Sequence, residues 1–387
     1  MTAADTIHVE EGRFARLEAI KWWRQETMRS ARVLVIGAGA LGNEVLKNLA
    51  LLGVGNVVIV DMDRIERSNL CRSVLFRESD EGQYKAHAAA RAAQSLYPEI
   101  RIQGLRANVL AELGLGYFRW AQVVVGALDN REARVFVNRA CAQTQRPWID
   151  GGIDVLNGIV RGFAPPATAC YECTMGQADW DLLAKRRSCA LLARQAFAEG
   201  GAPTTPTTAS IIGAIQAQEV VKRLHGLESL SGCGFMFEGL NHNSYRVEYP
   251  ISPECPWHSP PVPIETLVEV GSDTPLHDIW RGAAARLGPL DALDLSREIV
   301  TALECPACHA QRPINRPVEL IRPDEVPCSA CGTEAVPQFC HSLSEHSPLL
   351  TLTPRQIGLP LWDILWARNG QKALGLELAA DRPADLA

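Results

Sequence analysis

Gly37, Gly39 and Gly42 stand between an apolar run rich in β-branched residues and a stretch whose apolar residues recur at helical spacing. That Gly-x-Gly-x-x-Gly pattern suits phosphate binding. Glycine permits the tight turn, and the missing Cβ lets a phosphate approach backbone N–H groups at the positive end of a helix. Asp61 follows the glycines by about 20 residues, where a carboxylate can bond ribose hydroxyls. Just beyond it, Asp63, Asn69, Arg72 and Arg77 gather more charge than a nicotinamide site needs. The set suits a triphosphate with a metal. A dehydrogenase, the commonest meaning of the glycine pattern, gives no purpose to Asn69, Arg72 or Lys85.

Cysteine supplies the second chemistry. The chain has 12, and in a reducing compartment close Cys-x-x-Cys pairs are more often metal ligands than disulfides. Zinc is the expected ion. Cys170 and Cys173 form one pair. Cys305 and Cys308 are separated from Cys328 and Cys331 by 19 residues, the spacing of a four-cysteine zinc ribbon. His309, His341 and His346 read as surface histidines.

These groups need elements to hold them. Arg13 to Met28 reads as an amphipathic helix ahead of the first strand at 32–36. The glycine turn, a helix and a second strand at 57–60 follow. Lys85–Leu96 is a helix by propensity, 100–104 a short strand, 123–130 a strand ending in an acid, 131–144 a helix and 147–152 a further strand. Strands alternating with helices imply an α/β fold with a doubly wound, mostly parallel sheet, whose ligands gather at the carboxyl ends of its strands. Asp61, Asp63 and Asp129 fall at such ends. Residues 158–163 turn to strand, 174–206 lose periodicity and read as a loop crossing the surface, 209–224 form an apolar helix, and 235–249 supply more strand. Proline clusters after Ser259 mark a boundary, giving domains at 1–259 and 260–387, the second holding the ribbon at 303–334. The tail from Pro360 to Trp366 carries no readable motif.

In its ordered motifs the chain resembles the ubiquitin-activating enzyme family and its ThiF- and MoeB-like bacterial relatives, which adenylate sulfur-carrier proteins. The resemblance rests on Gly37-Ala-Gly39-Ala-Leu-Gly42, Asp61-Met-Asp63, Ser68-Asn69-Leu-x-Arg72, Phe76-Arg77, Gly82-x-x-Lys85, Leu128-Asp129-Asn130, Cys170-x-x-Cys173 and the later apolar helix, and it covers about residues 13–258. It implies a Rossmann-like adenylation domain in which Asp61 holds the ribose of ATP, Asp63 and Asp129 bear on Mg2+ and the phosphates, and Asn69, Arg72 and Lys85 neutralise the triphosphate. Arg16 resembles an arginine that reaches a neighbouring subunit's γ-phosphate, which implies a homodimer. Ser73 stands where the family usually has glutamine. Relatives that form a thioester carry a cysteine in the crossover loop, and Cys189 occupies it here beside Lys185, Arg186 and Arg187, neighbours that favour the thiolate. Relatives also complete the Cys170/Cys173 zinc site after the last strand. Here the matching residues are Cys255 and His258, with Cys305 and Cys308 as the alternative.

The formal net charge of −6 provides no global basic field to recruit nucleic acid. No apolar run approaches the roughly 20 residues that span a bilayer. A cytosolic enzyme is expected, acting with ATP, Mg2+ and Zn2+ on a ubiquitin-like or sulfur-carrier protein that ends in glycine. Adenylation would be followed by a thioester on Cys189 and transfer to a conjugating enzyme. A sulfur-carrier adenylyltransferase without an obligatory thioester, and a small-molecule or tRNA-modifying adenylating enzyme, are the other readings.

Overall fold

The structure, a computed structural model, describes residues 12–188 and 203–386. Its first sheet has eight strands: β1 (Arg32–Ile36), β2 (Asn56–Val60), β3 (Arg101–Leu105), β4 (Val123–Gly126), β5 (Trp148–Asp154), β6 (Asn157–Phe163), β7 (Cys233–Glu238) and β8 (Asn243–Glu248). They lie in the order β3-β2-β1-β4-β5-β6-β7-β8. Pairing is parallel from β3 through β5 and antiparallel from β5 to β8.

Strand alternation sorts the side chains between two cores. Val33, Val35, Val57 and Ile59 pack on one face with α3 (Ala40–Leu51), α4 (Lys85–Leu96) and α8 (Pro206–Leu224). Leu34, Ile36, Val58 and Val60 pack on the other with α5 (Leu115–Trp120) and α6 (Arg131–Thr144). Continuous apolar strands such as Val57-Val-Ile-Val60 are what a sheet covered on both faces requires. The expected α/β, mostly parallel architecture is present.

Three sequence expectations need correction. The single helix over 13–28 is two short ones, α1 (Ala15–Glu18) and α2 (Gln25–Ser30). Between them the Arg24 N–H donates to Nε2 of His225 at 3.1 Å and the Trp23 ring packs 5.0 Å from that imidazole, contacts that a continuous helix could not make. The strand expected over 123–130 ends at Gly126; the Ala127 N–H makes the last bond to β1, donating to Ile36 O at 2.8 Å. The loop expected at 174–206 contains a helix, α7 (Gln177–Ser188). Its Ala, Leu, Lys and Arg favour a helix by propensity, but without an apolar stripe the sequence shows no periodicity.

A second sheet combines β9 (Ile264–Leu267), β10 (Ala292–Glu304), β11 (Gln311–Pro317), β12 (Val336–Leu343), β13 (Ile364–Asn369) and β14 (Lys372–Leu378), with α9 (Leu276–Leu287) against it. It is locked to the first through the unread tail. The Trp362 ring stacks edge-on to Tyr117 at 4.9 Å, and a Cβ on Gly116 would lie 2.5 Å from its indole. Fully buried Asp363 accepts from the Leu115 N–H at 3.0 Å and faces Arg297, 3.8 Å away, whose guanidinium also donates to the carbonyls of Leu110 and Leu113.

Removing one partner of such a buried pair leaves an uncompensated charge. Asp363→Ala is therefore expected to cost about 3–5 kcal/mol, read from the urea midpoint. Asp363→Leu combined with Arg297→Met should recover much of that loss; a single variant as stable as wild type would show that the pair does not hold the sheets together.

Candidate functional site

The glycine turn sits where the strand order reverses, between β2 and β4 on either side of β1, at their carboxyl ends. That crevice is where open α/β sheets bind ligands. Gly37 has φ +98°, and a Cβ there would lie 2.3 Å from Ala127 O; one on Gly42 would lie 1.9 Å from Gly37 O. Both must be glycine for the turn to close. Gly39 differs, because a Cβ there meets nothing within 4 Å among the described residues. The turn is sealed from behind and open above its middle glycine, a cradle that a phosphate could enter at the start of α3.

Asp61, one residue past β2, fixes this turn from the side. Its carboxylate accepts from the Ala38 N–H at 2.7 Å and the Asp63 N–H at 2.8 Å. Burial raises its pKa above the ordinary value, and the Lys85 cation with the two N–H bonds pulls part of that back. Lys85 Nζ lies 2.8 Å from Asp63 Oδ2, with the lysine side chain mostly buried and the aspartate about half exposed. Asn69 is buried; its Oδ1 accepts from the Glu66 N–H at 3.0 Å. Arg72 is half-buried, and among the described residues no carboxylate pairs with it. Asp129 is exposed three residues beyond β4 and accepts from Asn130 Nδ2 at 3.0 Å, while Asn130 caps α6 through the Ala133 N–H. Glycine turn, Asp61, Asp63 and Lys85 therefore form one connected cluster. Asp129 flanks it through Ala127. Arg16 is exposed on α1 and bonds to none of these side chains among the described residues. Cys189 lies outside the described residues.

Several residues here escaped the sequence reading. Asn43 is fully buried; its Nδ2 donates to Ala38 O at 2.7 Å and to Gly39 O at 3.0 Å, and its Oδ1 accepts from the Leu75 N–H at 3.0 Å. It ties the glycine turn to the segment carrying Arg72. Its signal was a polar residue in an otherwise apolar helical face. Asp150, fully buried, joins Arg134 at 2.9 Å and Arg161, and Arg134 also donates to the carbonyls of Leu128 and Gly151. This cluster braces the strand ends beside Asp129. The buried Ser73 hydroxyl has no partner among the described residues.

Among the described residues, two groups have the donor set of a metal centre: Cys170, Cys173, Cys255 and His258, and separately Cys305, Cys308, Cys328 and Cys331. The alternative in which Cys305 and Cys308 complete the first group does not occur. Tetrahedral ligands at about 2.3 Å from zinc stand roughly 3.8 Å apart. The first group shows 3.8 Å for Cys170–Cys173, 3.6 Å for Cys170–Cys255 and 3.1 Å from Cys173 Sγ to His258 Nε2. In the second, Cys305–Cys331, Cys308–Cys328 and Cys308–Cys331 measure 3.4, 3.6 and 3.8 Å. Both sets fit zinc, with four protein ligands each and therefore structural roles. The surroundings agree: Nδ1 of His258 lies 3.2 Å from Pro166 O, leaving Nε2 for a metal, and the Ser252 N–H donates to Cys173 Sγ at 3.4 Å. Thr333 beside Cys331 holds that thiol down to about 6.

A model of the ThiF family matches residues 12–256. A sulfur carrier protein adenylyltransferase of Thermus thermophilus is 32% identical over 238 residues, covering 60% of this chain and 83% of the relative. The SAMP-activating enzyme E1 of Haloferax volcanii is 31% identical over 240 residues, covering 60% of this chain and 82% of its own length. The crystal structure of E. coli MccB with ATP superposes at a TM-score of 0.54 and 21% identity over 65% of this chain and 75% of that one, a likeness of fold.

Atomic absorption on the purified protein is expected to find about two zinc ions per chain, falling to about one in Cys170→Ala. A wild-type value near one would remove one of the two centres. Because thiolate ligands must stay deprotonated, zinc should leave as pH falls, and a chelator assay should register that release.

Proposed function

The chain belongs to the ThiF family, and on that premise we propose that it uses ATP to activate the C-terminal carboxylate of a ubiquitin-like or sulfur-carrier protein ending in glycine. The observation carrying this reading is the open space over Gly39, between a turn gripped by Asp61 and the Lys85–Asp63 pair. It accepts a nucleotide's phosphates while keeping cations at hand.

In the proposed reaction a carboxylate oxygen of the carrier attacks the α-phosphorus, the bond to the bridging oxygen breaks, and pyrophosphate leaves with that electron pair. No general base is required, since the nucleophile is already ionised. The protein's work is alignment and charge stabilisation. Asp61 would receive the ribose hydroxyls. Lys85 would exchange Asp63 for phosphate oxygens, and Arg72, unpaired with any described carboxylate, would join it. Asp63 and Asp129 would hold Mg2+, which supplies neutralisation of phosphate charge. Arg16, exposed and bonded to none of these groups among the described residues, would serve a partner's nucleotide in a homodimer. The thiolate of Cys189 would then attack the acyl carbon, release AMP and carry the carrier as a thioester toward a conjugating enzyme. We assign residues 1–259 to adenylation. Residues 260–387, with the four-cysteine centre as a zinc ribbon, would be a docking part.

A second reading stops at the adenylate, as a sulfur-carrier adenylyltransferase; the Thermus relative of that name supports it, as the equally extensive match to the Haloferax E1 supports the first. Incubation with ATP, Mg2+ and candidate carriers, followed by non-reducing electrophoresis, separates the two. Wild type should give a thiol-sensitive adduct that both Cys189→Ala and Asp129→Ala lose. Asp129→Ala should also slow pyrophosphate exchange by about 10²–10³-fold. Pyrophosphate release with no adduct, indifferent to Cys189→Ala, would leave adenylation alone. Exchange stimulated by a small acid or RNA and by no carrier would sink both.

A further inference from the structure

At the other end of β1, roughly 16 Å of strand from the glycine turn, three arginines converge. Arg32 opens the strand and donates from Nε to Trp120 O at 2.9 Å. Arg119, in the last turn of α5, bonds to Glu377 and to Thr266 Oγ1 at 2.7 Å. Arg146, two residues past α6, donates from Nη2 to Arg119 O at 2.7 Å. A cavity beside them is lined by Arg119, Thr144, Gln145, Arg146 and Ile264.

The charges do not balance. Among the described residues only Arg119 has a carboxylate, and neither Arg32 nor Arg146 pairs with one. Nε of Arg146 is buried and has no hydrogen-bond partner among the described residues. Burial and the nearby Arg119 and Arg32 charges depress the Arg146 pKa, as expected of like charges held together without an anion. A buried orphan donor costs free energy unless something satisfies it.

We propose that this cavity binds a tetrahedral oxyanion of the phosphate class, held by Arg146 and Arg119 of its lining, with the Arg32 cation beside them. A guanidinium presents its N–H groups as a rigid fork that matches phosphate oxygens. Two uncompensated cations match the charge of a phosphate dianion. The cavity wall also explains what occupancy would do. Ile264 belongs to β9, and Arg119 reaches Glu377 on β14, so the anion would sit where the first sheet meets the second. The site stands apart from the glycine turn and does not depend on the adenylation reading. Free phosphate and pyrophosphate share the required chemistry.

The test titrates inorganic phosphate and pyrophosphate calorimetrically into the full chain carrying Arg72→Ala and Lys85→Ala, which removes the cations at the glycine turn. The same titration is repeated with Arg146→Met added. Saturable binding that weakens at least about 10-fold with Arg146→Met is expected. Equal affinity in both proteins, or no binding in the first, overturns the proposal. Arg32→Ala, at an exposed position, should weaken binding about 3–10-fold and decides the matter if the methionine variant does not fold. Pyrophosphate binding tenfold more tightly than phosphate would make a diphosphate the occupant, and equal binding would identify free phosphate.

Discussion

The carboxylate of Asp61 spans two strands' ends. One oxygen takes the Ala38 N–H inside the glycine turn, and the other takes the Asp63 N–H beyond β2. The turn can accept that grip only because Gly37 lets the end of β1 pass within contact of Ala127, one residue beyond β4. Three neighbouring strands thus meet at one point through a bond, a bond and a steric fit. Asn43 adds a third tether from beneath, carrying the turn to the segment of Arg72. The Lys85–Asp63 pair and the segment of Arg72 are both tied to this junction.

Lys85 and Asp63 satisfy one another, and in the proposed reaction the pair would open to an anion and a cation arriving together. The buried Asp150 with Arg134 and Arg161 is of another kind. There the carboxylate is fully buried between two guanidiniums, and Arg134 also donates to the carbonyls of Leu128 and Gly151. That cluster sets the shape of the strand ends beside Asp129.

Much of this was legible in the residues themselves. The glycine spacing, the runs of valine and isoleucine, and the helices at 85–96 and 131–144 depend on local pattern, and the alternation of strand with helix fixes a parallel sheet through its handedness. The cysteine pairs were legible because ligand spacing is local, although which pairs share a centre depends on folding. What stayed hidden depends on distant partners. His225 breaks the first helix from 201 residues away. Asn43 looks like any helical asparagine until Leu75 arrives. Trp362 and Asp363 read as an ordinary apolar tail, since their meaning lies in the glycines at 114 and 116 and in Arg297.

That tail alters what counts as a separable part. Trp362, Ile364 and Trp366 belong to the same apolar cluster as Phe118, Val135 and Trp148, so one face of the nucleotide-binding sheet is finished with side chains from the far end of the chain. A cut after the proline cluster at 259–263 would leave that face without its covering. Inheritance of the two sheets is then coupled: a change in Gly116 or Tyr117 must be answered near Trp362, and the second sheet cannot be exchanged for another unless the newcomer brings an indole to the same place.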